Sequence, residues 1–391
     1  MITRTVWILS LVSLLTDTAS EMLYPVMPLY LQSIGFTIVG IGLLEGLAEA
    51  VAGLSKGYFG KWSDDIGKRL PFVQLGYLLS AISKPLMSVL TYPLWIFSVR
   101  SLDRIGKGLR SGPRDALLSN EATSETKARI FGFHRSMDTA GAALGPLIAL
   151  LFLYYHPGAY KPLFLLAFLP GLFAVAASLF LKEKTGITTR QQKVFSLRAF
   201  YSYWIESADT YRKLATPLLI FALVNSSDIF LLLKMKEAGL PDTWLIGTYI
   251  FYNAVYAASA YPAGIMADRF GLKKTLVLGL ILFSISYAAM AFAGNLSMFV
   301  LVFLGYGLYA AATEGVSKAW LSNIVPRNET AAAIGTFSGF QSIAALIAST
   351  VGGLVWYAFG STALFVLAAA LTLIIAVYIY LNVPISSAQQ A

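Results

Sequence analysis

The 391-residue chain contains no cysteine. That absence excludes disulfides, cysteine-held iron–sulfur clusters and thiol nucleophiles, and says nothing of compartment. Charge is also scarce: 13% of residues are Asp, Glu, Lys or Arg, against roughly 25% in a soluble domain. Histidine is limited to His134 and His156, the latter read as a loop residue beside Pro157. There is no His-Glu-x-x-His helix, no Gly-x-Ser-x-Gly elbow and no phosphate-binding loop; "GKGLRSG" (106–112) lacks the Lys-Ser/Thr pair after its second glycine. An enzyme, the rival class, therefore has no signature here and is not expected.

What is abundant is apolar: 57% of residues. A membrane-crossing helix needs about 20 mostly apolar residues, and twelve such runs follow one another, at 5–32, 38–58, 70–92, 93–119, 129–155, 161–182, 212–235, 243–264, 274–294, 297–322, 330–356 and 361–383. The reading is an all-α polytopic membrane protein with no room for a sizeable soluble domain. Asp17 and Glu21 interrupt the first run where a cleavable signal would be apolar, so it reads as the first helix. The net charge of +9 has a membrane explanation. Lys56, Lys61, Lys68 and Arg69, then Lys127 and Arg129, then the basic 182–213 segment, then Arg269, Lys273 and Lys274 fall at alternate connections. Basic residues collect in cytoplasmic loops. Both termini are expected in the cytoplasm and the chain in a plasma membrane, a bacterial or archaeal inner membrane, with no nucleic-acid partner.

The chain also repeats itself. At a shift of 204, Gly60, Asp64 and Gly67 align with Gly264, Asp268 and Gly271; at 203, the run from Gly112 to Gly132 aligns with that from Gly315 to Gly335. Two homologous six-helix halves follow, residues 1–182 and 212–391, joined by a cytoplasmic linker, 183–211. Its "FSLRAFYSYWIE" (195–206) reads as an amphipathic helix. Two like-oriented halves are a transporter architecture, with substrate held between them near the midplane; a duplicated scaffold without transport is the bland alternative.

The loop after the second run, with Gly60, Asp64, Asp65, Gly67, Lys68 and Arg69, resembles the Gly-x-x-x-Asp-Arg-x-Gly-Arg-Arg signature of the major facilitator superfamily. Asp65 stands in the Arg position, and the second half carries Asp268 and Arg269. The resemblance implies that this loop gates the inner side, with its Asp near a helix N-terminus. In the fourth run, Arg100, Gly106 and Gly108 resemble the family's Arg-x-x-Gln-Gly-x-Gly-x-Gly, with Asp103 and Arg104 replacing Gln and Gly. In the fifth, Gly132, Gly141, Gly145 and Pro146 resemble the signature of the proton-antiporter branch, with Ala149 and Leu150 replacing its last two glycines. Small residues there also serve close helix packing, and both readings stand. The family implies twelve helices in two pseudo-symmetric bundles, alternating access and a proton gradient in place of a cofactor. A monomer, protons, the bilayer and a small-molecule or ion substrate are the expected partners.

The fourth run carries Arg100, Asp103, Arg104, Lys107, Arg110, Arg114 and Asp115, which at 100° per residue fall within roughly 140° of arc. Charges in a membrane turn toward a polar interior or a partner. Asp17 and Glu21, Glu45 and Glu49, and Asp138 are the acids within reach; each of the two pairs is spaced i, i+4 and so shares a helix face. A static lattice of ion pairs is one reading. Proton exchange by Asp17, Glu21 and Glu49 as Arg100 and Arg104 engage or release them is the other, with Glu45, Asp103, Lys107 and Asp138 in the same coupling set. His134, one turn from Asp138, is either a relay or a packing residue.

By resemblance, runs 1, 4, 7 and 10 line the central cavity. Tyr24, Asn225, Asp228, Tyr249, Asn253, Tyr306, Glu314 and Gln341 are the candidate substrate residues, with Tyr252 and Lys318 near them in sequence. Hydrogen-bonding groups among aromatic walls suit a small amphipathic organic compound, expected to be exported by proton antiport. The alternative is a divalent metal ion such as iron, or a metal chelate, with Asp17, Asn225 and Asp228 as hard oxygen ligands.

Overall fold

The computed structural model describes residues 2–183 except Pro25 and Thr37, and residues 199–384. Some helical side chains, including those of Glu45 and Glu49, lie outside the described residues, as does most of the linker, 184–198. The order is α1 (Arg4–Glu21), α2 (Met27–Ser33), α3 (Ile38–Ile66), α4 (Leu70–Leu86), α5 (Pro93–Asn120), α6 (Lys127–Tyr155) and α7 (Tyr160–Ser178). A short α8 (Ala199–Glu206) follows, then α9 (Asp209–Val224), α10 (Ile229–Glu237), α11 (Asp242–Phe270) and α12 (Leu272–Phe292). The last are α13 (Leu296–Asn323), α14 (Thr330–Phe359) and α15 (Ser361–Asn382), with one 3-10 turn at Arg327–Glu329. No strand occurs among the described residues.

Local chemistry sets many of the ends. Thr3 accepts from the Val6 N–H at 3.3 Å to cap α1, and Asn295 accepts from Met298 N at 3.0 Å to cap α13. Pro93 opens α5, where its missing N–H costs nothing. Gly271, at φ +102°, turns α11 directly into α12. Among the described residues seven helical stretches are long and apolar enough to cross a membrane by composition. α5 is not among them, because seven charges sit on its 28 residues, although at 1.5 Å per residue it is about 42 Å long.

Two expectations are corrected. The first run, 5–32, is not one helix: it breaks after Glu21 and resumes at Met27. The seventh, 212–235, breaks after Val224 and resumes at Ile229. Pro25 and Pro28 bring no N–H to the first helix. In the seventh, Asn225, Ser226, Ser227 and Asp228 carry side chains that compete for backbone hydrogen bonds. Freed backbone at membrane depth needs a protein partner, and the Ser227 N–H finds one in Ser349 Oγ of α14 at 3.2 Å. The 204-residue offset places Glu21 opposite Asn225, so the first helix of each repeat opens at the same point.

The chain packs as two compact units. The first comprises residues 1–121, 137–206 and 325–342; the second comprises 122–136, 207–324 and 343–391. In the first, α5 packs between α3 and α4, while α7 packs on α1 and α4. Gly106 and Gly76 face each other there: a Cβ on Gly106 would lie 2.7 Å from the Gly76 carbonyl oxygen. In the second, α12 packs on α13 and α15, and α13 on α11.

Candidate proton-coupling and substrate sites

The charged face of α5 is directed inward. Arg100, Asp103, Arg104, Arg110, Arg114 and Asp115 are buried, and Lys107 is exposed. Asp103 accepts from Lys84 Nζ at 2.7 Å, Ser80 Oγ at 2.5 Å and Ser83 Oγ at 3.3 Å, all on α4. Arg110 lays its guanidinium over the Tyr77 ring, 4.8 Å from its centroid. In the first unit a pocket of about 40 Å³ is lined by Asp17 and Glu21 of α1, Tyr24, and Arg100, Arg104 and Lys107 of α5, among others. A water needs about 10–15 Å³ on this measure, so the space suits a few waters or a small ion.

One turn beyond Arg110 along α5, Arg114 pairs with Asp115 at 2.9 Å and donates to Ser13 Oγ at 3.3 Å. Ser13, one turn before Asp17 on α1, in turn donates to Asp138 Oδ1 on α6. His134 is buried one turn earlier on α6. Glu45 and Glu49 belong to α3, but their side chains lie outside the described residues.

The loop residues are placed by helix ends. Asp64 accepts from Arg69 Nη2 at 2.8 Å and from the Ala332 N–H, in the first turn of α14, at 2.8 Å. Arg69 Nη2 also donates to the Arg327 carbonyl oxygen at 2.6 Å, and Glu183 accepts from Arg69 N and Leu70 N at the start of α4. In the second unit Asp268 accepts from Ala128 N at 3.0 Å, Arg129 N at 3.1 Å and Arg129 Nε at 3.0 Å, at the start of α6. Each repeat thus docks an aspartate on a helix N-terminus, where the dipole favours negative charge. Burial pushes the Asp64 carboxyl up to about 7 against the opposing pull of Arg69 and the α14 amides. It pushes Asp268 up as well, opposed by Arg129 and its neighbouring amide. Gly60 and Gly112 both abut the Ala331 carbonyl oxygen of α14, Gly67 takes φ +70°, Asp65 is half-buried, and Lys68 and Arg269 are exposed.

The substrate candidates divide between the units. Tyr24 and Gln341 belong to the first and are exposed. In the second, Tyr306 donates to Asp228 Oδ1 at 2.6 Å and Asn225 Nδ2 donates to Tyr309 at 3.0 Å. Asn253 turns back to the Tyr249 carbonyl one helical turn earlier, and Glu314 pairs with Arg135. Tyr306 stands 5.1 Å from Tyr252 and 5.2 Å from Tyr309, ring centre to ring centre. No group of three or more His, Asp or Glu side chains able to hold a metal occurs among the described residues.

Several participants escaped the sequence reading. Lys84, with Ser80 and Ser83, supplies the partners of Asp103; a lone lysine inside an apolar run was the available signal. Ser13, Tyr77 and Tyr309 gave none, since each is an ordinary residue of an apolar helix. Of the α6 glycines, Gly132 meets the Ala260 carbonyl oxygen of α11, whereas Gly141 and Gly145 meet the backbone of α1 and its C-terminal end. Pro146 lies within α6.

The sequence profile of the Major Facilitator Superfamily matches residues 9–252 and 242–390. An uncharacterized MFS-type transporter of Methanocaldococcus jannaschii is 32% identical over 362 residues, 91% of this chain and 89% of that protein. Multidrug resistance protein MdtH of Salmonella paratyphi C is 23% identical over 332 residues, 83% of this chain and 78% of that protein. Among solved structures, the human organic anion transporter MFSD10 superposes with a TM-score of 0.83 at 16% identity, covering 96% of this chain and 99% of that one. The proton:xylose symporter XylE gives 0.76 at 16% identity, covering 99% and 98%. At such identity the two structures speak for the fold alone.

Proposed function

The chain belongs to the major facilitator superfamily and is a multi-pass membrane transporter rather than an enzyme; from that premise we propose that it exports a small organic compound in exchange for protons. The observation that carries this reading is the water-sized pocket in which Asp17 and Glu21 of α1 meet Arg100, Arg104 and Lys107 of α5. A carboxylate beside cations stays ionised, and one that loses them in low dielectric takes up a proton. Movement of α1 against α5 therefore changes proton affinity, which is what coupling requires. The proton gradient is the driving force, with no bound cofactor, and the protein works as a monomer in a bacterial or archaeal inner membrane.

Substrate recognition is assigned to the second unit, where Asp228 and Asn225 sit among Tyr252, Tyr306 and Tyr309. An aromatic surface with a few hydrogen-bonding groups suits an amphipathic molecule, and the relative named multidrug resistance protein MdtH supports export of such compounds. The divalent-metal reading is less well supported: Asn225 and Asp228 are engaged with tyrosine hydroxyls.

The test is reconstitution in proteoliposomes with imposed pH gradients and a panel of amphipathic dyes, ethidium included, beside divalent metals. Asp17→Asn and Glu21→Gln are each expected to change proton stoichiometry and the pH dependence of flux. Unchanged stoichiometry and pH dependence in every variant would remove the coupling role, and gradient-driven metal flux without dye flux would replace the substrate.

A further inference from the structure

The charged walls of the first-unit pocket are not closed on themselves. Lys84 is held by Asp103 at 2.7 Å and Arg114 by Asp115 at 2.9 Å, while Arg100 and Arg104 are engaged in contacts of their own. Four groups remain. Asp17 and Glu21 of α1, spaced i, i+4, and Lys107 and Arg110 of α5, spaced i, i+3, all line the pocket, and each spacing sets its two side chains on one helix face. Among the described residues none of the four makes an ion pair. Arg110 is buried, with its guanidinium over the Tyr77 ring and no hydrogen-bond partner at Nη1. Two carboxylates and two cations thus share one small space without pairing.

Charge taken out of water calls for a counter-charge at contact distance. The acids of α1 call for a cation and the bases of α5 for an anion, and the four sum to zero. A ligand of one sign would unbalance that sum, whereas one carrying both charges keeps it. We infer that this pocket is a subsite for a zwitterion of the α-amino acid type, its carboxylate taken by Lys107 and Arg110 and its ammonium by Asp17 and Glu21. Size narrows the class. The pocket offers about 40 Å³ on a measure where a water needs about 10–15 Å³. An ammonium and a carboxylate on one carbon are the most compact zwitterion, and their one nitrogen and two oxygens stand where a few waters would. Leu23, Met27, Met87 and Val99, all buried, line the same space, so the side chain on that carbon is expected to be apolar. On the proposed export reading, on which this assignment rests, an ammonium held by Asp17 and Glu21 occupies the carboxylates that exchange protonates, and proton and substrate exclude each other. Of the neighbouring elements, α6 brings Asp138, which accepts from Ser13, with His134 one turn from it. α7, packed on α1, brings Lys161 near its start, and the side chains of Glu45 and Glu49 on α3 lie outside the described residues.

The direct readout is equilibrium binding to the purified full-length protein, by calorimetry, with three sets of probes matched in side chain. These are L-alanine, L-leucine and L-phenylalanine, the amines that lack their carboxylate, and the acids that lack their ammonium. At least one amino acid is expected to bind, with its amine and its acid each more than about tenfold weaker, because each leaves charged groups of the site unanswered. Lys107→Gln and Arg110→Gln are each expected to weaken the preference for the amino acid over the amine and to keep that over the acid. Glu21→Gln is expected to do the reverse, a crossed pattern that loss of folding does not produce. Lys107 is exposed, so its variant carries the test should the Arg110 variant fail to fold. A wild type that binds none of the amino acids, equal binding of an amino acid and its singly charged analogues, or preferences unchanged in Lys107→Gln and Glu21→Gln overturns the subsite. Binding needs no gradient, so amino acid binding as expected with no pH-driven flux would remove the exchange reading alone, and gradient-driven dye flux with no amino acid binding would remove the subsite alone.

Discussion

Lys84 and Asp103 meet at 2.7 Å with both side chains at most one-tenth exposed. A buried pair gains little over apolar packing, whereas breaking one strands a charge at a cost of about 3–5 kcal/mol. Lys84→Met is therefore expected to lower the thermal unfolding midpoint in detergent markedly, with Lys84→Met/Asp103→Leu recovering most of the loss. Asp64 gives a pH prediction. Its carboxyl stands at about 7 when docked on α14, above the roughly 3.9 of a free aspartate. A group whose pKa is raised on docking contributes stability that is full below about pH 4 and lost as pH rises through about 7. The absence of cysteine makes this measurable: a single cysteine placed at Ser338 on α14, normalised for thiolate fraction, is expected to label faster near about pH 8 than near about pH 6. Asp64→Asn flattens that dependence. Burial of these residues was not legible as pairing, because sequence order does not show which of several acids a cation meets.

At the scale of the helix, periodicity carried most of what could be read. The charged stripe of α5 follows from the 100° step, and six of its seven members are buried. Its glycines are the complementary feature. Gly106 faces the Gly76 carbonyl oxygen, and Gly108 faces Ser55 of α3, so α5 can sit close to two neighbours at once. Gly106→Val is expected to destabilise the protein by about 1–3 kcal/mol through overpacking, read as a lower unfolding midpoint with the purified monomer or aggregate state checked by size exclusion. The breaks in the first and seventh helices were less legible. Apolar character continues across Met22–Val26, and a hydropathy pattern does not register that prolines have withdrawn backbone donors there. Yet the breaks recur at equivalent positions, beside Glu21 in one repeat and at Asn225 in the other. Interrupted helices expose polar backbone where ions and substrates bind in transporters.

For the whole molecule, the distribution of Lys and Arg predicts orientation. A fluorescent protein fused after residue 391 is expected to mature and fluoresce, and alkaline phosphatase fused at the same point to stay inactive, as for a cytoplasmic terminus. The reverse pattern would invert the topology. The sequence by itself determined the helix content, the internal repeat, the one-sidedness of α5 and the family, because each is a periodicity or a spacing along one chain. Tertiary structure decided the rest: that Asp103 belongs to Lys84, that Asp64 and Asp268 dock on the N-termini of α14 and α6, and that Gly141 and Gly145 press α6 onto α1, where Ser13 meets Asp138. Those are contacts between segments up to hundreds of residues apart. In a medium that does not solvate charge, the partner of each buried charge is fixed by which helices touch, and that is set only when the bundle has packed.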